Sequence, residues 1–272
     1  MSSRSCRLTA LIVAGIACVI SLRAQGPEQF TEEQMKEFLL DAKVVASRHT
    51  SNGITSPFRL TLSDGKVTHD AAFQSIDEYQ REKQFSDGHK EMNFRDCYKY
   101  DIAAYELAKL LGLGDMMPVT VERNWEGKAG ALSWWLPVKM DEATRLKQHL
   151  EPPDTKAWNH QMYKKRVFAE LVYDTDPNLT NLLISDTWHL WMIDFTRAFR
   201  LYSHLGNPKN LTMCDRQLLE KLRHLDGAEL ALRTKGLLTK DEIKGVMARR
   251  DKIVALFEHL IATKGEEEVL YN

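Results

Sequence analysis

The apolar positions of this chain change period along its length, and each period predicts an element. Over residues 30–48 they fall at Phe30, Met35, Phe38, Leu39, Ala42, Val45 and Ala46, the spacing of one helix face, with Thr31 and Gln34 placed as a capping box. From Phe58 the period drops to two. Phe58, Leu60 and Leu62 alternate with polar residues, Ser63-Asp64-Gly65-Lys66 is a hairpin turn, and a second arm covers 67–76. Residues 78–94 are polar and charged and read as a loop. Helical spacing returns over 95–113, with Ile102, Ala103, Tyr105, Leu107, Leu110 and Leu111 on its apolar side and Gly112 and Gly114 closing it. Strands over 119–123 and 130–137 follow, then a short charged helix over 140–150, a Pro152-Pro153 break, and a long helix over 155–173. Amphipathic helices are predicted at 215–225 and 239–262. The Arg249-Arg250-Asp251-Lys252 run reads as a solvated face, and 266–272 as a peripheral tail.

The stretch 173–199, YDTDPNLTNLLISDTWHLWMIDFTRAF, carries the chemistry. Its apolar runs are too short for helices and read as a hairpin, Asn181 to Ile184 and Leu190 to Ile193, joined by Ser185-Asp186-Thr187. The start of the first strand then presents Asp176 and Asn181, and the end of the second presents Asp194. The three polar groups meet at one mouth, with Leu182, Leu183, Trp191 and Ile193 buried behind them. Two carboxylates and an amide oxygen so placed suit phosphoryl transfer: one acid orients or deprotonates an attacking hydroxyl, and the other two groups hold a divalent cation against phosphates. Ordinary turn chemistry is the competing reading, since Asp, Asn and Pro favour turns by themselves. A calcium loop is excluded in its EF-hand form. Asp174, Asp176 and Asn178 stand at positions one, three and five, but Leu179 replaces the glycine at six and Ser185 the glutamate at twelve.

The Asp-x4-Asn spacing, then a strand, then Asp194-Phe195, resembles the catalytic and metal loops of the protein-kinase-like superfamily. The likeness is to its atypical branch: phosphatidylinositol kinases, HipA-type kinases and secretory-pathway kinases. Pro177 stands where the phosphatidylinositol kinases carry arginine, and Thr196 where Asp-Phe-Gly has its glycine. The run 101–112, DIAAYELAKLLG, followed by Met117-Pro118-Val119-Thr120-Val121, is similar to the small-lobe helix and next strand of those kinases. The resemblance covers roughly residues 54–262. It implies an α+β, two-lobed protein-kinase-like fold: a small strand-rich lobe with one helix, and a mostly helical large lobe. It implies ATP with Mg2+ or Mn2+ in the cleft, Asp176 as catalytic acid or base, and Asn181 and Asp194 as metal ligands. Gln74 stands where the strand lysine contacts phosphates, and Asp101 near the glutamate that pairs with that lysine. An amide brings no charge; Lys66, Lys83 and Lys90 are the lysines nearest in sequence that can substitute. Trp134, Trp135 and Leu136 fall at the interlobe hinge, as core or as the lining of an adenine pocket.

Composition narrows this picture. A chain of 272 residues with 43% hydrophobic content supports one two-lobed domain, and a net charge of −1 gives no electrostatic case for nucleic acid. Arg4 and Arg7 precede an apolar run over 8–22, too short for a span, and Ala24 offers a cleavage site. This predicts a signal peptide over 1–24 and an exported protein, with membrane anchoring left open and no strong membrane signal after cleavage. An accessory helix is then expected within 25–53, the small lobe over 54–139 and the large lobe over 140–272. Of four cysteines, Cys97 and Cys214 survive cleavage, as one disulfide or as two buried thiols. The expected partners are a nucleotide and a protein or small-molecule acceptor. The alternative is a pseudokinase acting as a ligand- or protein-binding module.

Overall fold

Thr31 caps the first described helix. In this computed structural model, which describes residues 30–50 and 57–272, its side chain accepts the Gln34 N–H and the Gln34 side chain accepts the Thr31 N–H. The capping box opens helix α1 (Glu32–Asp41). The helix ends there instead of running to 48. Residues Lys43–His49 form strand β1, paired antiparallel with β2 (Phe58–Ser63). The β-branched pair Val44-Val45 suits a strand, and cross-strand pairing decides what periodicity left ambiguous. Arg123 donates to the Leu39 and Ala42 carbonyls at the end of α1 (2.6 and 2.7 Å), fastening the helix to the sheet.

The predicted hairpin of β2 and β3 (Thr68–Gln74) is present. Asp64 Oδ1 accepts the Lys66 and Val67 N–H groups in its turn, and Gly65 takes the positive φ (89°) that the turn needs. Leu60, Leu62, Ala71 and Phe73 form its buried face. Residues 78–94 are not a loop. They belong to a second hairpin, β4 (Asp77–Gln84) and β5 (Lys90–Cys97), turning at Gly88. Ion pairs lace it: Arg95–Asp77 (2.5 Å), Lys83–Glu78 (3.4 Å) and Lys90–Glu82 (2.8 Å). Its buried apolar anchors, Phe94 and Cys97, are too few to set an alternation that can be read, and charged pairs occupy most of the remaining positions.

Helix α2 (Lys99–Leu110) therefore starts later than Arg95, and buries Tyr100, Ala103, Ala104, Leu107 and Ala108. Strands β6 (Thr120–Trp125) and β7 (Lys128–Trp134) follow, turning at Glu126 and Gly127, both at positive φ. They complete a five-stranded antiparallel sheet in the order β1-β2-β3-β7-β6.

The remainder is mostly helical. It comprises β8 (Met140–Asp141), α3 (Glu142–Lys147), α4 (Thr155–Val172), β9 (Leu182–Ile184), β10 (Leu190–Met192), β11 (Cys214–Asp215), α5 (Arg216–His224), α6 (Gly227–Arg233), α7 (Lys240–Lys264), α8 (Glu266–Val269) and β12 (Leu270–Tyr271). Two surface expectations fail here. Arg249 is fully buried and donates to the carbonyls of Leu171 (2.7 Å), Arg200 (2.8 Å) and Tyr202. A guanidinium with several donors can satisfy orphan carbonyls that a helix end leaves inside. The C-terminal tail is also integral: β12 pairs in parallel with β11, Val269, Leu270 and Tyr271 are buried, and Tyr271 donates to His160 O (2.7 Å). Cys97 and Cys214 are both buried free thiols, so no disulfide joins them. Thr31–Asn272 form one compact unit, and among the described residues no helix is long and apolar enough to cross a membrane.

Candidate active site

Helix α4 stops at Tyr173, whose left-handed backbone (φ 51°) turns the chain into the acidic loop. The loop is built from its own polar groups. Asp174 Oδ1 accepts the Asp176 N–H (2.9 Å), Asp176 O accepts the Asn178 N–H (2.7 Å), and Asn178 Oδ1 accepts the Thr180 N–H (3.0 Å). Turn chemistry is thus real here, and it serves to present Asp176 and Asn181. A short 3-10 turn (Leu179–Asn181) leads into β9, and Asn181 O accepts the Ile193 N–H (3.0 Å). That bond ties Asn181 to the residue before Asp194. The predicted hairpin exists, and Leu182 is buried as expected, but its other buried side chains are Ile184, Leu190 and Met192, while Leu183, Trp191 and Ile193 are half-buried. A shift of one residue exchanges the faces of a strand.

Asp194 itself sits at φ 60°, a left-handed conformation uncommon for a residue with a Cβ. Its neighbours hold it there. The Asp101 carboxylate accepts the Phe195 N–H (2.6 Å), Thr196 Oγ1 donates to Asp194 Oδ1 (3.0 Å), and Thr196 O accepts the Cys97 N–H (2.9 Å). Phe195 is buried edge-on against Phe168, ring centres 5.3 Å apart. Local strain at a position so tightly determined is a mark of functional sites.

Electrostatics points the same way. Burial, then the negative charge of Asp176, Asp96 and Asp174, raises the Asp194 carboxyl to about 6 against a hydroxyl bond from Thr196. By surface area Asp194 is exposed, yet protein atoms crowd around its carboxylate closely enough to displace part of its water, and that crowding raises its pKa. Asp101 lies well above the ordinary carboxylate range, through burial and then Asp194. Burial also raises Asp96 and Asp174. Lys165, half-buried in the cleft wall beside Asp174, is lowered by burial. The cluster is short of positive charge, and a divalent cation answers that shortage. The donors fit magnesium or manganese: Asn181 and Asp194 offer oxygen, the rest of the shell being left to phosphate and water. Among the described residues no three acidic, histidine or cysteine side chains form a metal-binding group.

The phosphate side differs from expectation. Gln74 ends β3, and its Oε1 accepts the Ser75 and Ile76 N–H groups (3.0 and 3.3 Å), so the amide caps its own strand. Among the described residues Asp101 forms no ion pair with a lysine, and its carboxylate accepts the Phe195 N–H. Lys66 lies at the opposite end of β3 from Gln74, about 26 Å away at roughly 3.3 Å per residue. Lys83 is engaged by Glu78 (3.4 Å) and sits over the Phe94 ring at 3.8 Å. Lys90 pairs with Glu82 at 2.8 Å. At the position expected for a hinge, His69 stacks on Trp134 (3.7 Å) and Arg59 lies over Trp135 (4.0 Å). Sequence reasoning missed Glu91, Asp96 and Lys165, because no local motif connects them with the acidic loop.

No family profile matches this sequence, and no curated protein matches it either. Solved structures do. Hydra Fam20, determined with a sugar, aligns at TM-score 0.63 and 14% identity over 88% of this chain and 91% of its own. The Golgi casein kinase with manganese and ADP bound aligns at 0.61 and 12% identity, over 88% and 78%. The Helicobacter pylori proinflammatory kinase CtkA aligns at 0.54 and 9%, over 83% and 98%. This chain has an atypical protein-kinase-like fold. Its five-stranded antiparallel sheet with α2, followed by the mostly helical segment from α3 to α8, is the mixed α and β architecture that those neighbours share.

Proposed function

We propose that this kinase-like protein binds ATP with Mg2+ or Mn2+ between its lobes and transfers the γ-phosphoryl group to a hydroxyl acceptor. The supporting observation is that Asp176 and Asn181 line one mouth and Asp194 lies close enough to Asp176 to feel its charge, with Arg197 3.9 Å from Asp176. In this reading Asp176 orients the acceptor hydroxyl and takes its proton, while Asn181 and Asp194 hold the cation that neutralises the phosphates. Manganese and ADP in the Golgi casein kinase support the choice of ligands. Export through residues 1–24 belongs to the same proposal. It rests on the basic and apolar pattern of that segment, which lies outside the described residues.

Thermal unfolding with and without ATP, magnesium and manganese tests the binding step. Ligand at about a hundred times its Kd stabilises by about 2.7 kcal/mol, a shift of several degrees for a domain of this size. The expected result is a cation-dependent shift that Asp194→Ala abolishes. No shift with any nucleotide would sink the proposal.

The second reading is a pseudokinase that binds without transfer. It is favoured by Gln74, whose amide is turned onto its own backbone, and by Asp101, which holds Phe195 where a lysine pair is expected. A nucleotide-dependent shift with no release or transfer of labelled γ-phosphate would decide for it.

A further inference from the structure

Arg197 occupies the space between the acidic loop and the unforeseen hairpin. Its Nη2 donates to Glu91 Oε2 (3.0 Å), while its Nη1 stands 3.9 Å from Asp176 Oδ2, too far for a good hydrogen bond. The guanidinium lies 5.1 and 5.4 Å from the ring centres of Phe85 and Phe94. Glu91 is buried, and its second oxygen is held by Arg200 at 2.6 Å. The Arg197 backbone is pinned too: its carbonyl accepts from Thr175 N (3.3 Å) and Thr175 Oγ1 (2.9 Å). Its Nε is buried with no hydrogen-bond partner. Arg197 is therefore fixed at both ends, aimed at Asp176, and has donors to spare.

We propose that Arg197 supplies the positive charge that meets the transferring phosphoryl group, with Glu91 of β5 as its positioning residue. This rests on the phosphotransfer reading above. The charge missing at Gln74 then comes from the opposite wall, behind Asp194. In the step, the acceptor oxygen forms its bond to the γ-phosphorus and its proton passes to Asp176. The bond from that phosphorus to the bridging oxygen breaks, and its electron pair leaves with ADP. Arg197 stays protonated and donates N–H to the phosphoryl oxygens. Neutralising Asp176 loosens its hold on Nη1 at the same moment. Lys83 is committed to Glu78 and Phe94. Lys165 is the rival cation, placed beside Asp174 at the base of the loop.

The test compares Mg-ADP binding with and without beryllium fluoride, a mimic of the γ-phosphoryl group, by calorimetry and thermal shift. In the wild type the fluoride should tighten binding. Arg197→Met should keep ADP affinity within about twofold but lose about tenfold or more of the fluoride enhancement, as expected for a charge that meets only the terminal group. Arg197→Lys, which keeps the charge and spares buried Glu91, should recover part of it. Glu91→Gln should move the enhancement in the direction of Arg197→Met and leave ADP affinity alone. Full enhancement in Arg197→Met, or its loss in Lys165→Met with Arg197→Met normal, would overturn the assignment alone. A wild type that binds no Mg-ADP would remove the phosphotransfer reading and this inference together.

Discussion

The two walls of the cleft are built by different means. The wall carrying Asp176, Asn181 and Asp194 is one continuous stretch, joined by the bonds of its acidic loop and by the Asn181–Ile193 ladder bond, with Asp101 and Cys97 fixing the backbone just after Asp194. The small-lobe wall is assembled from separate elements, and its polar groups are spent on structure. Gln74 caps its strand, Asp101 anchors Phe195, and Glu91 clamps Arg197 and Arg200. Groups placed by local bonds leave a motif in the sequence, and groups brought together from distant segments leave none.

The largest way to break this comparison is to remove the floor shared by both walls. Phe168→Ala, fully buried under Phe195, should cost about 3–5 kcal/mol in denaturant unfolding. A cost under about 1 kcal/mol would show the walls to be independent of that contact. Next, Asp176→Asn should lower phosphoryl transfer about 10²–10⁴-fold while leaving the nucleotide-dependent thermal shift intact. Equal loss of binding and transfer would make Asp176 a ligand and not a base. Asp101→Ala removes the acceptor of the Phe195 N–H and should destabilise by about 1–3 kcal/mol, with Asp101→Asn milder because it keeps an acceptor and sheds a crowded charge. Gln74→Lys should tighten ATP about severalfold if its strand end faces the phosphates. Unchanged affinity would place the phosphate charge wholly on the other wall.

The smallest effect is in pH. Burial raises Asp194 to about 6, so between the ordinary carboxylate range and pH 6 the folded state holds a proton that the unfolded chain has released. Stability from this group is therefore greatest at low pH and is lost as pH rises through 6. Without cation or nucleotide, Asp194→Asn should gain stability over wild type at pH 7 and lose that advantage near pH 4. An advantage independent of pH would remove the charge argument.

Much of the large-lobe wall was legible because its signals are short-range. The Asp-x4-Asn spacing, the hairpin and the Asp-Phe step lie within one stretch, and secondary structure alone brings them together. The β4–β5 hairpin was illegible because ion pairs line it and its buried apolar side chains, Phe94 and Cys97, are too few to set a period. Arg249 looked like a surface residue in a charged run, yet it serves carbonyls from α4 and from the segment after Asp194. The C-terminal residues became core through β11, more than fifty positions earlier.

By itself the sequence determined the helices and strands that are amphipathic, the Thr31 capping box, and the acidic loop with its three presented groups, since propensity, capping and hairpin pairing act over a few residues. Tertiary structure decided that residues 43–49 are a strand, that Gln74 caps its own backbone, that Asp101 serves Phe195, and that Glu91 aims Arg197 at Asp176. Those outcomes depend on which charged and polar groups meet after distant segments pack. Burial makes such pairings costly to leave unmade, and no local pattern announces the partner.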